Sequence, residues 1–373
     1  MDDTPGTFAF IIHPVNPKAD VGRKYPLLGR VLTPRQIDFL CTFWPPVYIS
    51  EIEGVRSIET GRAIRGWFIA VPYTPRRMLE LPEQVVYRKI VEAGHLAERL
   101  GARIMGLGAF TAVVGDAGVT IARQLDLPVT TGDSYTVAVV VQAIMEAGRQ
   151  MGINLKGATA AVVGATGAIG GASSQLLAEQ MGRLILIGRR EAALAAIRER
   201  CEGKGAQISI STGLDVLHEA DLILSVTSSI RGIIQPEHLK PGAVVLDAAV
   251  PPDVSQAVHA VRDDVLVIQG GMVRVPGPVA FNFNFGYPPG KAYACMAETM
   301  ALALEGRYED YTIGRDLDIA RVREIEAIAG RHGFRLAGLR SFSHEVTPDQ
   351  IAGVRERAAR RLRTFNPARS TAG

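Results

Sequence analysis

The chain has 373 residues, 47% hydrophobic and 21% charged, with 41 Lys+Arg against 38 Asp+Glu for a formal net charge of +3. That composition excludes global disorder and a histone-like, polyanion-coated protein. Single cores stop growing near about 250–300 residues, so at least two domains are expected, and the three scattered cysteines (Cys41, Cys201, Cys295) exclude a disulfide framework or a cysteine zinc cluster.

In chain order, the acidic opening Met1-Asp2-Asp3-Thr4-Pro5 lacks a secretory pattern. Phe8 to Ile12 reads as a short buried strand, and Thr33-Pro34 as the cap and first residue of a helix running toward Phe43. Tyr48–Glu53 and Gly66–Val71 have strand character, and Leu81 to Leu100 is a long helix ended by Gly101. Arg103–Leu107 and Leu127–Thr131 follow as strands. Asp133 or Ser134 is expected to cap the next helix. That helix contains the most apolar stretch, Val137 to Met145, about half of the ~20 residues needed to cross a bilayer, so a soluble, cytoplasmic protein with reduced thiols is expected.

A cleaner alternation starts at Ala158. Strands Ala158–Val163, Leu184–Ile187, Ile208–Ile210, Asp221–Val226, Ala243–Asp247 and Val265–Gln269 are separated by helical pieces, the clearest being Ile169–Met181 and Glu191–Cys201. The fold class is α/β: an N-terminal α/β substrate domain (1–150), a doubly wound Rossmann NADP-binding domain (151–288), a helical C-terminal region (289–340) and a basic amphipathic tail (341–373). Lys291 to Glu305 reads as helix throughout. In the tail, Thr347-Pro348-Asp349-Gln350 has capping-box form, and Ile351, Val354, Ala358, Leu362 and Phe365 share one helical face, with Arg355, Arg357, Arg360 and Arg361 elsewhere. From Arg331 onward nine arginines face three acids, a charge of +6 that leaves the first 330 residues at −3.

The strongest local signal is Gly164-Ala165-Thr166-Gly167-Ala168-Ile169-Gly170, between a strand and a helix. Its glycines allow the tight turn, the approach of a pyrophosphate and close helix–strand packing, and the helix start offers unpaired N–H groups to phosphate. The next strand ends in Arg189-Arg190, where an acid would hold the ribose of NAD. Two guanidinium groups there suit a 2′-phosphate, so NADPH is the expected cofactor. Val226, Thr227 and Ser228 lie at the sheet edge where the nicotinamide half is expected. Asp247, on the same edge, is either a substrate-facing acid or a turn residue.

Cys295 falls near a helix start, four residues after Lys291. Helix dipole and cation would both favour its thiolate, the form that attacks a thioester; the competing reading is a small buried hydrophobe. Cys41 and Cys201 read as structural. The seven histidines show no metal-ligand spacing, and no metal is expected; His13 alone sits at a plausible cleft edge.

Several ordered segments resemble one family. They are Ile11-Ile12-His13, Gly106-Leu107-Gly108-Ala109-Phe110-Thr111, Thr130-Thr131-Gly132-Asp133-Ser134-Tyr135-Thr136, the Gly164–Gly170 turn, Gly270-Gly271-Met272-Val273, Ala294-Cys295-Met296-Ala297-Glu298 and His332-Gly333-Phe334. Together they resemble the cyanobacterial-type long-chain acyl-[acyl-carrier-protein] reductases. The resemblance implies NADPH-dependent reduction of an acyl-carrier-protein or CoA thioester of a long-chain acyl group to a fatty aldehyde, with Cys295 as nucleophile. No nucleic-acid partner is expected, and the basic tail is a candidate for peripheral membrane contact. A shikimate-dehydrogenase type of oxidoreductase on a small hydroxy acid is the alternative. It requires a lysine–aspartate pair, for which Lys89 and Asp116 are the nearest candidates. A cofactor-binding scaffold without catalysis ranks below both.

Overall fold

The apolar run Gly6–Ile12 is the middle strand of a five-stranded sheet in this computed structural model, which describes residues 6–363 except 230–231, 250, 285, 287 and 342–343. The strand order is Val47–Arg56, Ala63–Ala70, Gly6–Ile12, Met105–Leu107, Val129–Thr130. The outer pair is antiparallel and the remainder parallel. Helix Glu83–Arg99 packs Val86, Ile90, Ala93 and Ala97 against this sheet, the spacing that its sequence shows.

The second sheet has eight strands, six of them parallel in the order Leu266–Gln269, Val244–Asp247, Leu222–Ser225, Thr159–Val163, Arg183–Ile187, Gln207–Ser211. Its two faces are covered by separate cores, one containing Val162, Leu184 and Leu224, the other Val163, Ile185 and Ile223. Burial on both faces explains why these strands are continuously apolar rather than alternating. This is the expected mixed α/β architecture with a doubly wound second half.

The division of the chain differs from the expected boundaries. One unit comprises Met1–Tyr135, Met272–Asp316 and Ala320–Arg335; the other comprises Thr136–Gly271, Leu317–Ile319 and Leu336–Gly373. The region 289–340 is therefore not a separate body. Helix Ala294–Glu305 lies on the first sheet so closely that a Cβ at Gly6 would sit 2.7 Å from the Ala303 carbonyl, and one at Gly106 2.1 Å from Thr299 Oγ1. Val140, Ile144 and Ala147, assigned from sequence to the first domain, belong to the core of the second sheet.

Two local expectations also change. Lys291–Tyr293 is a strand, paired antiparallel with Met272–Arg274, and the helix begins only at Ala294. Asp133 and Ser134 lie inside the first turn of helix Asp133–Gln150 instead of capping it. The tail helix Pro348–Leu362 has the expected capping box and buries Ile351 and Ala358, whereas Leu362 is exposed; Phe365 lies outside the described residues. Its arginines are partly committed to the same unit: Arg361 Nη1 meets Asp264 Oδ1 at 2.6 Å, and Arg357 Nε donates to the Asp263 carbonyl at 2.7 Å. Among the described residues, no helix is long and apolar enough to cross a membrane.

Candidate active site

Cys295 is the second residue of its helix, half-buried, and two segments distant in sequence converge on it, joined by a residue of its own helix. The first is the Thr130–Tyr135 segment. A Cβ at Gly132, whose φ is +77°, would lie 2.3 Å from Cys295 Cα and 2.5 Å from its Cβ, so only glycine admits this approach. The second is the Gly106–Thr111 turn. Ala109 there adopts φ 47° and ψ −120°, a strained conformation for a residue with a side chain. His13 supports this turn, its Nε2 accepting the Phe110 N–H at 3.1 Å. Nε2 is therefore the unprotonated nitrogen, and burial drives the imidazole pKa down to about 4, so His13 is neutral. The backbone N–H groups of Met296 and Ala109 act on the Cys295 thiol in the direction that favours its anion, against the larger effect of burial.

The third participant is Glu298, one helical turn after the cysteine and fully buried. Its Oε1 accepts the hydroxyls of Thr130 and, at 2.7 Å, Thr312; its Oε2 accepts the Tyr135 N–H at 2.7 Å, and the Gly132 N–H adds a further bond. Burial raises its carboxyl above the ordinary range, and these four donors oppose the rise. The Glu298 carboxylate thus satisfies an N–H at the start of helix Asp133–Gln150, the task the sequence assigns to Asp133 or Ser134. Residue type alone did not single out Glu298; its place in the Ala294–Glu298 segment was the available signal.

The expected thiolate is not the resting form. Burial first, and the Asp133 carboxylate second, push the Cys295 thiol up to about 12. Lys291 lies in a strand and not in the helix that carries the sulfur, and it is not among the groups that shift the thiol. Asp133 itself is raised to about 7, first by burial and then by Glu298, against a hydrogen bond from Thr131. Cys41 and Cys201 are buried, and burial raises each to about 11, in keeping with structural roles.

Other candidates resolve into structural roles. Lys89 pairs with Glu92 at 2.8 Å, and Asp116 accepts the Thr120 hydroxyl at 2.6 Å, so each is committed locally and not to the other. Asp247 is a turn residue whose carboxylate accepts the Ala249 and Val254 N–H groups at 3.1 and 2.8 Å. His332 bridges Ser57 Oγ and Glu305 Oε2 at 2.9 and 2.8 Å, but that serine also accepts the Glu59 and Thr60 N–H groups, so it organises a turn. No group of three or more potential metal ligands occurs among the described residues.

The glycine turn lies in the other unit. Gly164 has φ +88°, and its carbonyl accepts the Gly167 N–H at 3.0 Å; a Cβ at Gly170 would fall 2.2 Å from that carbonyl oxygen. Helix Ala168–Ala178 starts directly after Gly167 with no side-chain cap among the described residues, and the first N–H groups of a helix have no partner within it. Thr166 packs beside Gly188, and Arg189 and Arg190 are exposed at the end of the adjacent strand. A Cβ at Gly164 would meet the Val226 carbonyl at 2.8 Å, so Val226 borders the turn. Asp253 fixes the next residue, accepting the Thr227 hydroxyl at 2.6 Å and its N–H at 3.1 Å, while Ser228 is exposed. A backbone cradle of this shape fits a dinucleotide pyrophosphate.

Residues 145–268 match the family described as Shikimate / quinate 5-dehydrogenase. The chain is 30% identical over 304 residues to "Aminotransferase PigE" of a Serratia species, an alignment covering 79% of this chain and 35% of that protein. It is 29% identical over 311 residues to the long-chain acyl-[acyl-carrier-protein] reductase of Synechococcus elongatus, covering 79% and 89% respectively. A glutamyl-tRNA reductase of Actinobacillus succinogenes is 27% identical over 195 residues, 48% of this chain and 44% of the relative. The chain thus spans about a third of the first of these relatives and most of the second. With the glycine turn, these matches support an NAD(P)-dependent oxidoreductase.

Proposed function

We propose that this chain is a cytoplasmic, NADPH-dependent reductase of fatty acyl thioesters that releases the aldehyde through an acyl-enzyme at Cys295. The observation that carries this reading is the position of Cys295: second residue of a helix, in close approach to Gly132, with the buried Glu298 one turn after it. The similarity to the Synechococcus long-chain acyl-[acyl-carrier-protein] reductase supports the substrate class, a long-chain acyl group on carrier protein, with the CoA thioester as the other carrier to be tested.

In the first half-reaction the Cys295 sulfur bonds to the acyl carbon, the carrier sulfur leaves as a thiol, and the acyl group stays on the enzyme as a thioester. The N–H groups of Met296 and Ala109 offset part of the burial cost of the sulfur's negative charge. The Gly164–Gly170 turn, with Thr166, Ala168 and Ile169, would hold the cofactor pyrophosphate. Arg189 and Arg190 would take the 2′-phosphate, and Val226, Thr227 and Ser228 the nicotinamide side. When bound, NADPH supplies the hydride that takes an acyl thioester to the aldehyde level.

Incubation with long-chain acyl-carrier protein and no NADPH should leave an acyl mass on the tryptic peptide containing Cys295. An unmodified Cys295 with both carrier-protein and CoA thioesters would sink the proposal. Arg189 and Arg190 give a separate test. Replacing both with alanine should raise the KM for NADPH about 10- to 100-fold, equivalent to one or two charge-assisted hydrogen bonds, with the NADH value unchanged in steady-state assays. The match over residues 145–268 favours a second reading, an NADP-dependent oxidoreductase on a small hydroxy acid. That activity would survive alkylation of Cys295, whereas the thioester activity would not.

A further inference from the structure

We propose that Asp133 is the proton acceptor and donor for Cys295 during acyl transfer. The inference rests on the thioester reading and supplies what that reading lacks. The resting thiol is protonated, so attack requires a neighbouring group to take its proton.

The geometry places Asp133 at the nucleophile. Gly132 is in such close approach to Cys295 that a Cβ there would penetrate the cysteine's own backbone, and Asp133 is the next residue. After burial, its carboxylate charge is the largest influence that raises the thiol. The remaining ionisable neighbours are disqualified by their bonds. Glu298 has both oxygens occupied by the hydroxyls of Thr130 and Thr312 and the N–H groups of Tyr135 and Gly132. His13 Nε2 is bound to the Phe110 N–H, with Nδ1 directed to the Pro14 carbonyl. The Met296 and Ala109 backbone N–H groups that act on the thiol can donate a proton but cannot accept one. Asp133, in contrast, is half-buried, with Thr131 as its side-chain hydrogen-bond partner. Burial and the Glu298 charge bring its carboxyl to about 7, where one group can take a proton and return it.

The step balances without a redox change. As the Cys295 sulfur–carbon bond forms, the thiol proton passes to the Asp133 carboxylate. As the tetrahedral adduct collapses, the carrier sulfur–carbon bond breaks and Asp133 returns the proton to the departing sulfur. The products are acyl-Cys295 and the carrier thiol.

Asp133→Asn separates this role from a structural one, because the two measured reactions of Cys295 should move in opposite directions. Without the carboxylate charge the thiol pKa falls, so iodoacetamide labelling of Cys295 at pH 8 should accelerate about tenfold. Acylation by acyl-carrier protein in the absence of NADPH, followed by intact mass, should slow by about 100-fold or more. Asp133→Glu, which keeps a carboxylate, should recover part of the acylation rate. Equal acylation of Asp133→Asn and the parent would overturn this proposal while leaving the thioester reading intact. So would a parallel fall in labelling and acylation that Asp133→Glu does not relieve, the result expected of a positioning role. Failure of the parent itself to become acylated would overturn both.

Discussion

Cys295→Ala should lose aldehyde formation by on the order of 10³-fold or more, because removal of a covalent nucleophile eliminates the two-step path and leaves only binding. The loss should fall on kcat with acyl-carrier protein as substrate. The NADPH dissociation constant should stay within about twofold, since the proposed cofactor residues are Gly164–Gly170 and Arg189/Arg190, which the variant leaves unaltered. Alanine is a strong helix former and smaller than cysteine, and the site is only half-buried, so the melting temperature should change little. NADPH oxidation at saturating thioester, with a thermal melt as control, checks all three. Retention of more than about a tenth of the parental rate would exclude a covalent role for the thiol.

Glu298→Ala should be the most destabilising change in the site. The deletion strands the hydroxyls of Thr130 and Thr312 and the N–H groups of Tyr135 and Gly132 around a fully buried void. Charge-assisted hydrogen bonds contribute about 1.5–3 kcal/mol, and buried donors left unsatisfied cost about 1–3 kcal/mol each; partial relaxation brings the sum to roughly 3–5 kcal/mol. Glu298→Gln keeps the volume. Its amide oxygen can accept the two N–H groups while its NH₂ faces the rotatable hydroxyls, so the loss should be about 1–2 kcal/mol. Urea unfolding checks the order, with a lower midpoint and an unchanged slope expected for both variants. If Glu298→Ala unfolds at the parental midpoint, Glu298 does not tie the cysteine helix to the Thr130–Tyr135 segment.

Much of the second unit is legible in sequence because its determinants are local. The turn at Gly164–Gly170 needs positive φ and absent Cβ atoms within seven residues, and the strands around it are apolar on both faces. The Thr347/Gln350 capping box is set by side chains one turn apart, and both it and helix Glu191–Cys201 occur where the residues indicate. Asp247 was ambiguous by sequence; its turn role emerges from N–H groups two and seven residues later.

The environment of Cys295 obeys different rules. The residue and its helix could be singled out from the chain itself, but its electrostatics could not. Lys291 looks helical by spacing, yet its segment pairs with Met272–Arg274, so the proposed cation leaves the helix. The helix dipole and a nearby lysine are effects of neighbours in sequence, and both favour a thiolate. Burial and the Asp133 carboxylate come from packing between segments more than 160 residues apart, and they favour the thiol. Local residue patterns are enough to reveal a glycine-rich turn between a strand and a helix and a cysteine near a helix start. Only the tertiary structure decided that the sulfur is protonated at rest, because desolvation and through-space charge depend on which residues the fold brings together.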